Sequence, residues 1–265
     1  MRVLFHLRIS AGLEVGCERT VQERVLALMR TSSISSARWS HAIARIIGAG
    51  TIAVAAMVHA QSIAFTPIDE GAGNAGWQTY RARLLAALEG RDRSSLLAAI
   101  HPEVNNGPDQ TRGLDEFRRR WSLDDEKSPV WRELGKAVGL GGAFVKNERG
   151  ETRLCTPYVA AKWNTDFDPF RFGAIIAAEV LVKSEPSSGA RTIARLTYEL
   201  VPVEDWEVGD TTPGFPQKWT KVRILDTSGF VPEEQIRSPI EHMACFAAQG
   251  GDWRLVSFTA GYLPE

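Results

Sequence analysis

The residue types in this chain that could carry out chemistry are few, and the spacing of each candidate pair is unfavourable. Cys155 and His242 offer a nucleophile and a base, but a reactive thiolate needs an electropositive position such as a helix N-terminus. Cys155 instead falls in the middle of a predicted strand. His101 and Glu103 flank a proline, and side chains so close in sequence seldom converge on one atom. We therefore predict no catalytic residue.

The motifs also disfavour a metal or a phosphate-bearing cofactor. Asp166 and Asp168 flank Phe167 in a predicted loop, where two carboxylates could hold a cation, although loop aspartates ordinarily form turns. The sequence lacks the Cys-x-x-Cys and His-x-x-x-His spacings that present metal ligands together. The glycines at 139–142 do not open a helix after a strand, as a phosphate-binding loop requires. No metal and no cofactor are predicted.

Two cysteines remain once a predicted signal peptide is set aside, and they are candidates for a disulfide. Cys155 and Cys245 each fall in a predicted β-hairpin, so neighbouring strands could bring their thiols together. Two buried free thiols would produce the same pattern. Cys17 lies upstream of the signal segment and would not reach the mature protein.

The first half of the chain has the apolar periodicity of helices. Gly90 is the predicted end of the first helix and Asp92 the N-cap of the second. Ser128 and Pro129 supply an N-cap and a first helical residue further along. The pattern predicts four helices, over residues 77–88, 92–100, 114–121 and 130–138.

Strand signals replace the helical period after Gly139. Two hairpins are predicted, one around the turn at 147–150, with a second strand from 153 to 159, and one around the turn at 249–252. Between them, residues 173–237 contain short β-rich runs separated by turn residues, which is typical of a small barrel. The predicted fold class is α+β, with an N-terminal helical region, antiparallel hairpins and a small β-barrel in the C-terminal half.

Residues 29–60 have the composition of a secretory signal peptide. Arginines precede an apolar run over 46–58, which is followed by small residues up to Ala60. This run is shorter than the roughly 20 residues that span a bilayer, so we predict cleavage after Ala60 and no membrane span. The mature protein would be periplasmic or secreted. Residues 1–28 would then be an over-extended gene start or a short amphipathic helix.

Composition places the chain among ordinary globular proteins. Its 265 residues are 44% hydrophobic and 24% charged, and the formal net charge of −1 gives no field that would attract nucleic acid. After the signal segment, residues 61–76 are predicted as a Gly-rich linker and 77–160 as the helical α+β region. Residues 238–265 form a terminal hairpin that could complete that region.

Four pieces of the barrel segment follow one another in a recognisable order. They are Val180–Ser188, which ends in a Pro-Ser turn, then Ile193–Leu196, Lys218–Val222 and Ser228–Pro232. Together they resemble the bacterial SH3 domain family, whose pattern runs from a strand through a Pro-Ser turn to a tryptophan strand and a Gly-aromatic-Val close. Lys183 stands where that family usually has arginine, and Phe230 where it usually has tryptophan. The insertion at 204–217 is also long.

The resemblance implies recognition of cell-wall peptide (peptidoglycan) or of an envelope protein partner, through a groove lined by aromatic side chains between loops. The predicted ligand-binding residues are the aromatics in or beside loops around the barrel, namely Trp163, Phe167, Phe170, Trp206 and Phe215. Each could instead cap the barrel or pack it against the helical region. Trp219 and Phe230 alternate with polar neighbours and are predicted as core.

The two ends of the mature chain resemble an NTF2-like α+β domain, with the barrel as an insertion. On this hypothesis the two hairpins pair in one sheet, which would also bring Cys155 and Cys245 near each other. The leading predicted function is a non-catalytic envelope binding module, and a purely structural assembly role stays open. The alternative is a small-ligand receptor or enzyme with an apolar pocket lined by Trp77, Trp121, Trp131 and Phe144.

Overall fold

The structure is a computed structural model that describes residues 63–261, except Pro108, Gln110 and Glu148. The predicted signal peptide at 29–60 and the segment 1–28, with its Cys17, lie outside the described residues. The described chain is α+β, as the sequence predicts, with mostly antiparallel strands.

Five α-helices and thirteen β-strands lie in the described part of the chain. The helices are α1 (Ala75–Glu89), α2 (Arg93–Ala98), α3 (Leu114–Arg120), α4 (Val130–Gly139) and α5 (Tyr158–Ala161). The first seven strands are β1 (Ile63–Ala64), β2 (Ile100–Asn105), β3 (Ala143–Lys146), β4 (Thr152–Thr156), β5 (Phe172–Ile175), β6 (Val180–Lys183) and β7 (Thr192–Leu196). The other six are β8 (Glu199–Gly209), β9 (Lys218–Ile224), β10 (Thr227–Pro232), β11 (Ile236–Arg237), β12 (Met243–Gln249) and β13 (Asp252–Thr259).

Capping residues set the boundaries of the first two helices. The side chain of Asn74 accepts a hydrogen bond from the backbone N–H of Trp77 at 2.9 Å, which starts α1. Gly90 ends this helix, as predicted. Asp92 accepts hydrogen bonds from the backbone N–H groups of Ser94 and Ser95, at 3.0 and 3.1 Å, which confirms it as the N-cap of α2.

Three segments differ from the predicted secondary structure. Ile100, predicted at the end of a helix, begins β2 because it pairs with the distant Leu255. Val159, predicted in a strand, lies in α5 because Pro157 before it has no N–H to continue the ladder. The predicted insertion at 204–217 begins as strand, since β8 extends to Gly209.

A five-stranded sheet has the order β2-β13-β12-β4-β3. β2 runs parallel to β13, and the other neighbours are antiparallel. The hairpins β3–β4 and β12–β13 pair through β4 and β12, which confirms the prediction that both belong to one sheet. The whole segment from β5 to β11 therefore lies, in sequence, between two adjacent strands of this sheet.

One face of the five-stranded sheet packs against helices α1 to α4. The stripe of α1 that includes Trp77, Tyr80 and Leu84 is buried, as its helical spacing predicts. Trp77 contacts Phe246 and Trp253 of the sheet, with ring centroids 4.8 and 5.3 Å apart. Aromatic rings thus fill the space between the helices and the sheet.

The opposite face of the same sheet carries the two cysteines. Cys155 of β4 and Cys245 of β12 are directly paired residues and form a disulfide, with their Cα atoms 4.1 Å apart. Ala160 and Ala161 of α5 and Met243 of β12 pack around this bond. The smaller core on this face therefore includes a covalent link between two neighbouring strands.

The other sheet is built from the segment between β4 and β12. Its order is β11-β5-β8-β9-β10-β6-β7, and β1 pairs with β8 as an additional strand. Every strand of that seven-strand path contributes to one core cluster, which consists of Ile175, Val180, Val182, Leu196, Val201, Val222, Val231 and Ile236. The β9–β10 hairpin and the burial of Trp219 agree with the sequence prediction, whereas Phe230 is only partly buried.

The described part of the predicted linker makes contacts with both sheets. β1 pairs with β8, and the backbone N–H of Glu70 donates to the carbonyl of Gly142 at 2.9 Å. The carboxylate of Glu70 also accepts from the backbone N–H of Phe144 at 2.7 Å and pairs with Lys162 at 3.0 Å. These interactions lower the pKa of Glu70, mainly through the hydrogen bond from Phe144. The segment is therefore fixed from residue 63 onward.

Candidate functional site

Three of the five predicted ligand-binding aromatics are involved in packing. Trp163 is 9% exposed, and its indole N–H donates to the carbonyl of Phe167 at 2.9 Å. The partly buried Phe167 contacts Phe172, with ring centroids 5.1 Å apart. Trp206 packs against the core of the eight-stranded sheet, close to Gly173. These side chains fill space between elements, which is the alternative role that the sequence leaves open for them.

The other two aromatics are exposed. Phe170 is 70% exposed in the loop before β5, and Phe215 is 51% exposed in the loop between β8 and β9. Exposed aromatic rings are unusual enough on a protein surface to be candidates for ligand contact. Among the predicted residues, these two rings are the ones that a ligand could reach without rearrangement.

The loop that carries Phe215 is held by hydrogen bonds to its surroundings. The backbone N–H of Thr211 donates to the carbonyl of Pro186, in the turn between β6 and β7, at 2.9 Å. Gln217 donates from its side-chain amide to the Glu234 carboxylate at 2.8 Å. We call the surface formed by Pro186, Thr211, Phe215, Gln217 and Glu234 the Phe215 surface. Hydrogen bonds thus connect the loop of Phe215 to the β6–β7 turn and to the segment after β10.

Asp210 anchors the start of this loop. Its carboxylate accepts hydrogen bonds from the backbone N–H of Thr212 at 2.7 Å and from the indole N–H of Trp219 at 2.9 Å. Desolvation opposes ionisation of Asp210, but these hydrogen bonds outweigh it and lower its pKa. The charged carboxylate therefore ties the loop to a tryptophan of β9 that is 2% exposed.

The segments that hold this loop carry acidic side chains, and Lys218 lies among them. Glu185 is exposed in the β6–β7 turn, and Glu234 follows β10. Glu233 directly precedes Glu234. Desolvation raises the pKa of Glu233, and the nearby negative charge of Glu207 raises it further by a smaller amount. An exposed ring on a surface that also carries carboxylates favours a ligand that combines an apolar part with an amine.

The candidate chemical motifs of the sequence serve structural roles. Cys155 is held in the disulfide, so it offers no thiolate beside His242. His101 accepts a hydrogen bond from the backbone N–H of Glu103 at 3.0 Å. Asp168 accepts from the backbone N–H of Phe170 at 2.9 Å, which is the turn role expected of a loop aspartate.

Within the described residues, no group of three or more His, Cys, Asp or Glu side chains is arranged to hold a metal ion. None of the helices in that part of the chain is long and apolar enough to cross a bilayer.

The aromatics of the predicted apolar pocket do not share one cavity. Trp77 is 1% exposed inside the main core, and Phe144 is 40% exposed on β3 at the edge of its sheet. Trp131 lies at the margin of that core. Trp121 lines one cleft, which it shares with His242 and Phe258, and Trp131 lines a different one beside Leu88. The prediction of one pocket lined by all four side chains is therefore wrong.

Sequence reasoning missed the pair formed by Glu133 and His242. Glu133 lies on α4 and His242 immediately precedes β12, and their nearest side-chain atoms, Oε2 and Nδ1, are 3.8 Å apart. Neither residue belongs to a local motif, so only the spatial path of the chain reveals the pair. It lies beside the cleft that Trp121 lines.

Comparisons with known proteins found no match for the chain. No family model matches it, and neither a curated protein nor a solved structure matches it. Its function is therefore inferred from its own residues.

Proposed function

We propose that this chain is an exported, non-catalytic binding protein whose SH3-like barrel recognises peptidoglycan peptide through the Phe215 surface. The same chemistry would suit a peptide segment of an envelope protein, and the experiment below separates these ligands. The barrel would be carried by an NTF2-like α+β domain, into which residues 173–237 are inserted.

The distribution of the core supports the SH3-like proposal. Strands at the two ends of the sheet path, β11 and β7, contribute Ile236 and Leu196 to the same cluster. A sheet whose outer strands share one core must curl around it, which favours a barrel. The four pieces that resemble the bacterial SH3 family fall on β6 with its turn, β7, β9 and β10.

The two departures from the family pattern are neighbours in space. Lys183 of β6 and Phe230 of β10 are directly paired residues. The Lys183 ammonium donates to the carbonyl of Ala190 at 3.1 Å and to the hydroxyl of Thr192 at 3.2 Å, which ties β6 to the end of its own turn. Paired residues can change together without altering the strands, so the departures are compatible with the proposed barrel.

Two observations support export and the NTF2-like carrier. The disulfide between Cys155 and Cys245 is the kind of bond that forms and persists in the periplasm or outside the cell. The helices cover one face of a sheet whose adjacent strands β4 and β12 are separated in sequence by the whole barrel segment. This agrees with a signal peptide at 29–60 and with the barrel as an insertion.

The observation that carries the proposal is the fixed position of Phe215. An exposed ring on a loose loop would lose conformational freedom when it binds, which would reduce its contribution to affinity. The hydrogen bonds of Thr211 and Gln217 hold the loop on both sides of the ring. The surface thus presents apolar area and carboxylates in one preorganised arrangement, which suits an amine-bearing peptide.

Co-sedimentation with insoluble peptidoglycan tests the proposal. Residues 61–265 contain every described element and would be compared with Phe215→Ala and with Leu225→Ala, whose 63% exposed side chain lies in the β9–β10 turn. We expect the parent and Leu225→Ala to sediment and Phe215→Ala to stay in solution, without release of soluble muropeptides. Release of muropeptides would show an enzyme. Failure of the parent to sediment would exclude peptidoglycan and leave an envelope protein as the ligand.

A further inference from the structure

A cleft lies at one end of the helix-covered face of the five-stranded sheet. It has a volume of about 280 Å³. Its lining comes from the segment after β2, the end of α3, the residue before α4, and the adjoining ends of β12 and β13. The lining residues are Asn106, Gly107, Arg120, Trp121, Pro129, His242, Phe258, Thr259 and Ala260. We call it the Trp121 cleft.

Three rings in mutual contact form the apolar wall of this cleft. The ring centroids of Trp121 and Phe258 are 4.8 Å apart, and the two rings are stacked at an interplanar angle of 21°. The His242 imidazole lies 4.9 Å from Trp121 and 5.2 Å from Phe258. Flat aromatic ligands stack favourably on such rings.

His242 is held from two sides. The Glu133 carboxylate lies 3.8 Å from Nδ1 of the imidazole, and interaction with His242 is the largest cause that lowers the pKa of Glu133 to about 2. The guanidinium of Arg237, which is 3% exposed, donates to the backbone carbonyl of His242 at 2.9 Å and pairs with Glu241 at 3.1 Å. The Glu133 carboxylate thus lies on the Nδ1 side of the ring, and Nε2 has no protein partner among the described residues.

Arg120 adds a second group that can donate to a ligand. Its Nε and Nη2 atoms interact with Glu116, Asp109 and Thr111. Its Nη1 atom has no acceptor among the described residues and lies against Gly107, where an added Cβ would be only 2.6 Å away. Glycine at 107 thus allows the guanidinium to lie along the backbone at the wall of the cleft.

Buried polar atoms around the cleft are also unpartnered within the described chain. Asn106 is 2% exposed and uses its amide nitrogen to donate to Val104 and Gly113, but its Oδ1 atom has no donor. The indole N–H of Trp121 has no acceptor. Unpartnered buried polar groups are costly, and a ligand acceptor could pair with the Trp121 N–H, whereas the Asn106 oxygen needs a donor such as water.

We infer that the Trp121 cleft binds a small aromatic molecule that carries a carboxylate. The ring lies against Trp121, His242 and Phe258. The carboxylate accepts hydrogen bonds from the Arg120 guanidinium and from Nε2 of the doubly protonated His242 imidazole, since a neutral ring with its proton on Nδ1 facing Glu133 has no second donor. The volume is near the lower end of ligand sites, which limits the ligand to one or two rings. This site is independent of the proposed function of the barrel and would exist without it.

Binding of matched probes to the purified protein tests this inference. Benzoate and indole-3-acetate are compared with benzamide and indole-3-acetamide, which have the same rings without the charge. The readout is the indole N–H signal of Trp121 in ¹H–¹⁵N spectra, assigned with Trp121→Phe. We expect the carboxylates to shift this signal at millimolar concentration and the amides to have little effect. An unshifted signal, or equal shifts by the amides, would refute the inference.

Variants locate the binding within the cleft. His242→Gln is expected to weaken benzoate binding about tenfold, whereas the control His101→Gln, on β2, leaves it unchanged. Glu133→Gln keeps the size of the side chain but removes the charge on the Nδ1 side of His242, so we expect a smaller loss. If His101→Gln weakened binding as much as His242→Gln, or if neither His242→Gln nor Glu133→Gln had an effect, the carboxylate would bind elsewhere.

Discussion

The five-stranded sheet packs against its helices through aromatic rings, whereas the eight-stranded sheet encloses aliphatic side chains. Trp77, Phe117, Phe246 and Phe258 are fully buried in the first core. The core cluster shared by the strands of the second sheet contains only valine, isoleucine and leucine. The exposed aromatics Phe170 and Phe215 belong to loops of the second region. Aromatic residues thus form much of the first core, whereas in the second region rings such as Trp206 lie at the margin of the aliphatic cluster and Phe170 and Phe215 are exposed.

The two regions also differ in the kind of surface that could bind a ligand. In the first region, ring contacts form a concave cleft around Trp121 and His242. In the second, a ring projects from a loop that hydrogen bonds hold in place. A cleft suits a small molecule, whereas a projecting ring with acidic neighbours suits a peptide. The two proposals therefore concern different ligands and can fail separately.

The strongest test of the comparison is Trp77→Ala. Trp77 is 1% exposed and contacts Tyr80, Phe246 and Trp253, so its removal leaves a large cavity among rings. We expect the free energy of unfolding to fall by about 3–5 kcal/mol, measured by urea denaturation. A loss below about 1 kcal/mol, the typical effect of a point substitution, would show that the aromatic core does not stabilise the first region.

The second largest effect is expected from the disulfide. The bond between Cys155 and Cys245 closes a loop with a sequence separation of 90, which contains every strand from β5 to β11. Replacing both cysteines with serine should lower the free energy of unfolding by about 2–5 kcal/mol, because the unfolded chain gains conformational freedom. Denaturation of the oxidised parent, with and without reductant, provides the matched comparison. Equal midpoints in the two conditions would contradict the expected contribution.

The third largest effect is expected in the pH dependence of stability, through Glu133 in the first region. The pKa of Glu133 is lowered from 4.5 to about 2, first by interaction with His242 and then by Arg132. Because the folded-state pKa lies below the usual value, Glu133 stabilises the fold above pH 4.5, and this contribution disappears as the pH falls toward 2. We expect a loss of about 2 kcal/mol between pH 6 and pH 2 that is absent in Glu133→Gln. Parallel pH profiles of the two proteins would exclude this role.

Local signals in the sequence predict much of the fold. Asp92 and Gly90 mark helix ends through backbone hydrogen bonds within a few residues, and the turn at 249–252 marks a hairpin in the same way. The pairing of the two hairpins is expected from the resemblance of the chain ends to an NTF2-like domain, and the cysteines on them agree with it but also fit two free thiols. These features depend on interactions between residues that are close in sequence, or they involve a distinctive residue type such as cysteine.

The features that the sequence does not predict depend on contacts between residues that are far apart in the chain. Ile100 is a strand residue only because Leu255 pairs with it, and no residue near Ile100 indicates that partner. Glu133 and His242 meet for the same reason. Trp163 lies in a segment with loop composition, but it is buried because Phe65, in the predicted linker, returns to it with ring centroids 5.9 Å apart. Exposure of an aromatic residue therefore cannot be inferred from its position in a loop.

The smallest expected effect on stability separates binding rings from core rings. Phe215→Ala and Phe170→Ala remove side chains that are 51% and 70% exposed, so each should change the free energy of unfolding by less than about 0.5 kcal/mol. Their effects on peptidoglycan binding should nevertheless differ, because hydrogen bonds from Thr211 and Gln217 fix the loop of Phe215 beside acidic residues. Urea denaturation and co-sedimentation of both variants provide the measurements. If Phe170→Ala abolished sedimentation and Phe215→Ala did not, the binding surface would lie at the loop before β5, and the preorganised loop would have only a structural role.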